Sequence, residues 1–195
     1  MDPELTKRVA AAVKAGMEAR SKFYAAIDEP DEQQLGPPTS PALIEKLEQK
    51  VGLALPPSYK AFLTLYDGWR MVDAVTDLMP VEDMLSGPRA DDIRKWQQDA
   101  LKWGDEVCGK GLVIGYSDIS QSRIILHPLR RNDDGEWRLY ETYKDEETEY
   151  DSFIAWLEYC VDHYLKMAAN PTADDEEAPP PDDDEDAPPP DDDEE

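Results

Sequence analysis

The stretch LALPPSYKAFLTLYDGW, which runs from Leu53 to Trp69, carries the strongest fold signal in the chain. The two prolines near its start favour the first turn of a helix, because proline lacks a backbone donor and has a fixed φ. Asp67-Gly68 predicts the end of that helix in the left-handed conformation. Between these signals, apolar residues recur at the spacing of one helical face: Tyr59, Phe62, Leu63 and Tyr66.

Two further helices are predicted upstream. The first begins at Asp2-Pro3 and ends before Asp28-Glu29-Pro30. The second begins after Thr39 or Ser40 and ends at Gly52. The linker Gly36-Pro37-Pro38 separates them. Residues 1–38 are therefore predicted to form an N-terminal helix and linker, which either packs on the following domain or stands partly apart. The apolar stripes of the two helices are Leu5, Val9, Val13 and Met17, and Leu43, Ile44, Leu47 and Val51.

The segment after Trp69 has a less regular pattern. Trp69 to Met79 is compatible with a strand, and Pro80 to Leu85 with one or two helical turns. A helix is predicted from Asp91 to Trp103, with these residues on one apolar side: Ile93, Trp96, Ala100 and Trp103.

The apolar period then changes from 3.6 to 2, which predicts antiparallel strands joined by polar turns. The strands are predicted at Leu112 to Tyr116, Arg123 to His127 and Glu136 to Tyr143. A closing helix begins at Ser152, with the stripe Phe153, Trp156, Leu157, Cys160, Val161, Tyr164 and Ala168. The order of helices, then a short sheet, then a helix predicts an α+β domain over residues 39–170.

The charge of the chain is strongly negative and unevenly placed. Twenty Lys and Arg against 45 Asp and Glu give a net charge of −25. Residues 171–195 hold 14 acidic and no basic residues, which leaves −11 on residues 1–170. This tail contains two near-identical copies of APPPDDDE and no large apolar side chain. It is predicted to be disordered, because nothing in it offsets the entropy lost on ordering.

Several classes of protein are not expected from this composition. Nucleic-acid binding requires clustered Lys and Arg, and a membrane span requires about 20 apolar residues. Neither feature is present, and the first residues do not resemble a secretory signal. Cys108 and Cys160 form no disulfide framework. We therefore expect a reduced cytoplasmic protein that binds neither nucleic acid nor membrane.

The sequence contains no convincing catalytic or metal-binding constellation. His127 and His163 stand outside any ligand cluster. Gly109-Lys110-Gly111 lacks the Ser or Thr and the following helix of a phosphate loop. The segment after Gly115 lacks the second glycine of a nucleophile elbow. No cofactor, metal or catalytic residue is predicted, and an enzyme would need a polar pocket that the sequence does not indicate.

The segment from Ile44 to Met84 resembles the SUKH superfamily, which includes the Smi/Knr regulators of cell-wall assembly. The resemblance rests on the LPPSYKAFLTLYDGW block and on Leu78-Met79-Pro80-Val81-Glu82-Asp83-Met84. The start of the last helix, Ser152 to Leu157, is also similar, so the likeness extends over about residues 41 to 165. It implies a central antiparallel sheet packed by helices. The N-terminal helix and the acidic tail are additions, and Asp67 stands where the family often has Asn.

This resemblance implies a non-catalytic function. Most bacterial members are immunity proteins that bind and neutralise a cognate toxin domain, and others are regulatory modules. An acidic inhibitor complements a basic toxin. The alternative is a scaffold that recruits partners through the N-terminal helix and tail. The predicted partner-binding residues follow the third helix, although Trp69 could instead close the core: Trp69, Arg70, Asp73, Asp77, Glu82 and Asp83. Oligomeric state is not predicted.

Overall fold

The computed structural model describes residues 2–143 and 146–171. Within these ranges the chain forms an α+β fold with one antiparallel sheet of seven strands. The helices are Pro3–Ala26 (α1), Pro41–Val51 (α2), Pro57–Leu65 (α3), Val81–Leu85 (α4), Pro88–Lys102 (α5), Glu106–Lys110 (α6) and Phe153–Ala169 (α7). The strands are Gln34–Leu35 (β1), Trp69–Arg70 (β2), Asp77–Leu78 (β3), Leu112–Tyr116 (β4), Arg123–Arg131 (β5), Trp137–Tyr143 (β6) and Glu146–Tyr150 (β7).

The seven strands follow one another across the sheet in chain order. Each strand is antiparallel to its sequence neighbour, so β1 and β7 form the two edges. The first three strands have two residues each, and each of their pairings joins only one or two residues of neighbouring strands. The long strands β4, β5 and β6 form its buried centre, where Ile125 and Leu139 are fully buried.

The predicted helix caps are confirmed by their hydrogen bonds. The Asp2 carboxylate accepts from the amide of Glu4 at 2.9 Å and opens α1. The Ser40 hydroxyl accepts from the amide of Leu43 at 3.3 Å and opens α2. Gly52 ends α2 with φ +77°, a conformation that glycine adopts without steric cost. Local polar side chains therefore fix the ends of these helices as the sequence indicates.

Helix α1 is part of the core and does not stand apart. Its Val9 and Val13 side chains are fully buried, and they join the same apolar cluster as Phe62 and Trp156. On the surface of the contact with α7, Arg8 binds the Glu158 carboxylate through two hydrogen bonds of 2.8 Å. The apolar stripe read from the sequence is thus the stripe that α1 buries.

Two helix ends differ from the prediction. Helix α3 ends at Leu65, because Tyr66 adopts an extended conformation, although Gly68 does have a positive φ of +85°. The linker holds this segment outside the helix: the Gly36 amide donates to the Gly68 carbonyl. Helix α5 begins at Pro88 and ends at Lys102, so Trp103 only caps it and is 88% exposed. The prediction that Trp103 lies on the apolar side of this helix is wrong.

Three elements were not predicted from the sequence: the two-residue strand β1, helix α6 and strand β7. Helix α6 is a five-residue turn, opened by Asp105, whose carboxylate accepts from the Cys108 amide at 2.9 Å. Strand β7 is largely acidic and exposed, and it exists because its whole length pairs with residues Leu139 to Tyr143 of β6. The acidic tail predicted from residue 171 lies, from residue 172 on, outside the described residues.

Candidate functional site

A cleft of about 310 Å³ lies where the short strands β1, β2 and β3 meet α4 and the start of α5. It is lined by four of the six residues that the sequence analysis proposed for partner binding: Trp69, Arg70, Asp77 and Asp83. Asp73 and Glu82 do not line it. The structure therefore brings most of the predicted set to one concave surface.

Two glycines shape the wall of this cleft by allowing backbone segments to approach closely. A β-carbon on Gly36 would lie 2.1 Å from the carbonyl oxygen of Asp67. A β-carbon on Gly68 would lie 2.7 Å from the carbonyl oxygen of Leu78, at a residue whose φ is already positive. Only glycine fits at either position, so the tight packing of the linker against β2 and β3 depends on both.

The Asp67 carboxylate acts as a remote cap for helix α4. It accepts from the amide of Val81 at 2.8 Å, where the N-cap residue Pro80 offers no side-chain acceptor. Capping interactions of this kind contribute about 1 kcal/mol. Asp67 therefore fixes the direction of α4 along one side of the cleft.

Asp73 and Asp77 hold the loop that joins β2 to β3. The Asp77 carboxylate accepts from the amide of Met71 at 2.8 Å, and Met71 itself has a positive φ of +53°. The Asp73 carboxylate accepts from the amides of Val75 and Thr76 at 2.7 and 2.6 Å. Both side chains are thus already used to order the loop, which leaves them only partly available to a partner.

Trp69 belongs to the core. Its side chain is 3% exposed, and its ring lies against Gly16 of α1. This corrects its place among the surface residues, because a partner could reach the indole only by opening the α1 contact. Arg70 and Glu82 are exposed, as a binding role requires.

The cleft has mixed charge. Arg89 pairs with Asp118 at 2.7 Å and with Asp83 at 3.6 Å, and its guanidinium also lies over the Tyr116 ring. Three carboxylates and two guanidinium groups line the cleft, so its net charge is close to neutral: Asp67, Asp77, Asp83, Arg70 and Arg89. A partner would find a concave surface with hydrogen-bond donors and acceptors, and the nearly balanced charge of the cleft would attract a charged partner only weakly.

The remaining motifs of the sequence have structural explanations. The amides of Gly109 and Gly111 donate to carbonyl groups of α6 and its cap, so they are not free to cradle a phosphate. His127 is 4% exposed, and burial lowers its pKa. Burial likewise raises the pKa of the Cys108 thiol to about 12, which disfavours a thiolate nucleophile.

Two kinds of feature are absent from the described part of the chain. Across residues 2–143 and 146–171, His, Cys, Asp and Glu side chains form no group of three that could hold a metal ion. Within the same ranges, no helix combines the length and the apolar character needed to cross a bilayer.

A second and larger cleft escaped the sequence analysis. It has a volume of about 680 Å³ and lies between the C-terminal half of α5, α6 and the edge strand β7. The exposed Trp103 lines it. The one sequence signal that could have revealed it is the tryptophan immediately before Gly104, where a helix is expected to end.

Comparison with known families gives a match. The model described as SMI1 / KNR4 family (SUKH-1) matches residues 38–159, which is more than half of the chain. The match begins after α1 and β1 and includes α2 to α6 and the first residues of α7. No curated protein matches the chain.

Proposed function

Because the chain belongs to the SMI1 / KNR4 family (SUKH-1), we propose that it is an immunity protein that binds and neutralises a bacterial toxin domain. Family membership is consistent with a non-catalytic immunity or regulatory role. The proposed mechanism is occlusion: one molecule covers the surface that the toxin uses and transforms no substrate.

The observation that carries this proposal is the acidic surplus on a member of this family. Residues 1–170 carry −11, and the whole chain carries −25. An inhibitor must reach its toxin before the toxin acts, and electrostatic steering raises association rate constants to about 10⁸–10⁹ M⁻¹s⁻¹ at low salt. Screening over about 8 Å at physiological salt confines the effect to close approach. The toxin domain is accordingly proposed to be basic.

The alternative is a scaffold that recruits partners through its N-terminal helix and acidic tail, and the helix gives it less support. The apolar stripe of α1 is buried against the domain, so that face is not free for a partner. Its exposed face has two short-range ion pairs among the described residues, Lys7 with Glu4 and Lys14 with Glu18, which are typical of a solvated surface. A partner on α1 would have to bind this polar face.

Capture and co-expression test the proposal. The full chain is immobilised, a lysate of its host is applied, and proteins that elute at high salt are identified. We expect a basic protein whose expression alone is toxic and whose toxicity disappears when this chain is co-expressed. If no eluted protein is toxic, or if co-expression fails to protect the cells, the proposal is wrong.

A single substitution then tests the first cleft as the contact surface. Glu82→Lys reverses an exposed charge beside it, and Glu45→Lys makes the same change on the exposed side of α2. If the first cleft is the contact surface, the Glu82 variant associates with the captured toxin several-fold more slowly than the Glu45 variant. Equal rates for both variants would place the contact elsewhere.

A further inference from the structure

Trp103 is a large aromatic residue left almost wholly in water. It follows the last residue of α5, is 88% exposed, and lies two residues from Leu101, which is 44% exposed. Exposed aromatic patches beside a concave surface mark interaction sites in soluble proteins. Tryptophan is also among the residues that dominate binding energy at protein interfaces.

The cleft beside Trp103 is lined by residues of five elements, α5, α6, β5, β6 and β7. Trp96 and Ala100 of α5 form one wall, and Asp105 lies at the start of α6. Glu146 and Glu147 of β7 form the opposite wall. Since β7 is the edge of the sheet and is exposed along most of its length, this wall faces solvent. A side chain from another molecule can therefore enter between an indole face and an acidic strand.

Among the described residues, four carboxylates and one cation, Arg123, line this cleft, and the cation is already engaged. Arg123 lies over the rings of Tyr116 and Trp96, at 4.0 and 5.6 Å, and also donates to the Ser122 carbonyl. Only one of the carboxylates, Asp99, forms an ion pair with a described residue, Lys102. The four are Asp99, Asp105, Glu146 and Glu147.

The negative charges on the two walls repel each other. Burial, and then the charge of Asp105, raise the pKa of Glu147. A positive group placed between the walls would remove this repulsion. The first cleft differs, because its acids bind backbone amides or Arg89 and its charge is nearly balanced.

We propose that the cleft formed by Trp96, Trp103 and the acidic wall of β7 is a docking site for an arginine-bearing basic segment of a partner protein. The proposal rests on the proposed function, because the partner it describes is the basic toxin. A guanidinium group is planar, stacks on an indole face and forms paired hydrogen bonds with carboxylates. The cleft offers to the same side chain both an indole face and the carboxylates of Glu146 and Glu147, which form no ion pair with another described residue.

Indole resonances provide a local test in the full chain. The chain has five tryptophans, of which Trp69, Trp137 and Trp156 are at most 3% exposed. A hexa-arginine peptide is titrated into ¹⁵N-labelled full-length protein, and the five indole N–H signals are followed. We expect the signals of Trp103 and Trp96 to shift while the three buried indoles stay in place. This readout separates the cleft from any binding of the peptide to the acidic tail.

Variants of the cleft give the affinity test. Trp103→Ala, followed through the Trp96 indole, is expected to weaken peptide binding about tenfold, as loss of an interface hot spot does. The double variant Glu146→Gln and Glu147→Gln is expected to weaken it about threefold. The matched control, Glu29→Gln with Glu32→Gln, removes the same charge from exposed positions after α1 and is expected to keep the parent affinity.

Four results would overturn the docking site: no shift at Trp103, equal shifts at all five indoles, parent affinity in the Trp103 variant, or the same shifts with MgCl₂ at matched ionic strength. The last would show that the cleft binds small cations in general. The peptide titration needs no toxin, so its failure leaves the proposed function standing. Conversely, a failure to capture a neutralised toxin would reject the proposed function and leave the peptide result intact.

Discussion

Gly68 is the residue on which the geometry of the first cleft depends most. A β-carbon there would lie 2.7 Å from the Leu78 carbonyl oxygen and 2.9 Å from the Pro80 nitrogen. Gly135 has nearly the same φ, +80° against +85°, but has open space around it. We expect Gly135→Ala to cost about 1 kcal/mol, as left-handed strain alone does. Gly68→Ala should cost about 3 kcal/mol or more, because backbone must also move.

Urea unfolding of the two alanine variants measures this difference. Equal losses of unfolding free energy would mean that the close approach at Gly68 carries no cost, and the structure of the cleft wall would then be wrong.

Glu136 directly precedes β6 and links the start of α3 to that strand. Its carboxylate accepts from the amide and the hydroxyl of Ser58, at 2.8 and 2.7 Å, and is 8% exposed. Burial raises its pKa in the folded protein. The folded state therefore holds the proton more tightly than the unfolded chain does. This tighter proton binding stabilises the folded state fully when the pH is below the ordinary glutamate pKa. The stabilisation is lost as the pH rises through the raised pKa of Glu136.

Glu136→Gln tests this linkage. Glutamine can keep both contacts with Ser58 and has no charge to desolvate, so the fall in unfolding free energy above about pH 4.5 should become shallower. The exposed Glu45→Gln serves as the control and should leave the slope unchanged. Identical pH profiles for Glu136→Gln and the parent would refute the assignment. The measurement is urea unfolding at a series of pH values from 4 to 8.

At the scale of elements, α1 behaves as part of the domain. Val13 is fully buried, whereas Ala11 on the same helix is exposed. Val13→Asp would bury an unpaired carboxylate and should lower the unfolding free energy by several kcal/mol. Ala11→Asp should change it by about 0.5 kcal/mol at most. If α1 stood apart from the core, both variants would melt like the parent, and thermal denaturation distinguishes the two cases.

The elements with strong local signals could be predicted from the sequence. Helix α2 has a serine cap, an apolar stripe and a terminal glycine, and all three act locally as predicted. Strand β7 has no such signal, because its residues are mostly acidic and its conformation comes from pairing with β6. The two-residue strands β1 to β3 are too short to show a period. Tertiary pairing determines these elements, so one sequence does not reveal them.

At the candidate sites, too, local features could be predicted from the sequence, whereas contacts between distant segments could not. The loop after α3 could be proposed from the sequence because Trp69 and several acids lie close together in the chain. The burial of Trp69 under α1 could not be predicted, since that contact joins distant segments. Trp103 was placed on an apolar face because helical spacing continues past Lys102, although the helix does not. Surface exposure of a tryptophan depends on where packing stops, and spacing alone does not reveal this.

At the scale of the whole molecule, we expect residues 172–195 to carry much of the net charge but to contribute little to the stability of the fold. Residues 172–195 carry 14 acids and no large apolar side chain, while the described residues contain a complete apolar core. A chain ending at Pro171 should therefore melt within about 1 °C of the full chain, although its net charge falls from −25 to −11. Thermal denaturation followed by circular dichroism measures this. A melting temperature lower by several degrees would show that the tail stabilises the domain.

The most direct test of the central claim, stoichiometric neutralisation of a basic toxin, is a titration of the captured toxin's activity with the full-length protein. We expect that activity falls linearly and reaches zero at one molar equivalent, with a 1:1 complex in solution. Toxin that stays active past several equivalents would refute stoichiometric inhibition. So would toxin that is silenced by a small fraction of an equivalent, since that would mean this chain turns over a substrate.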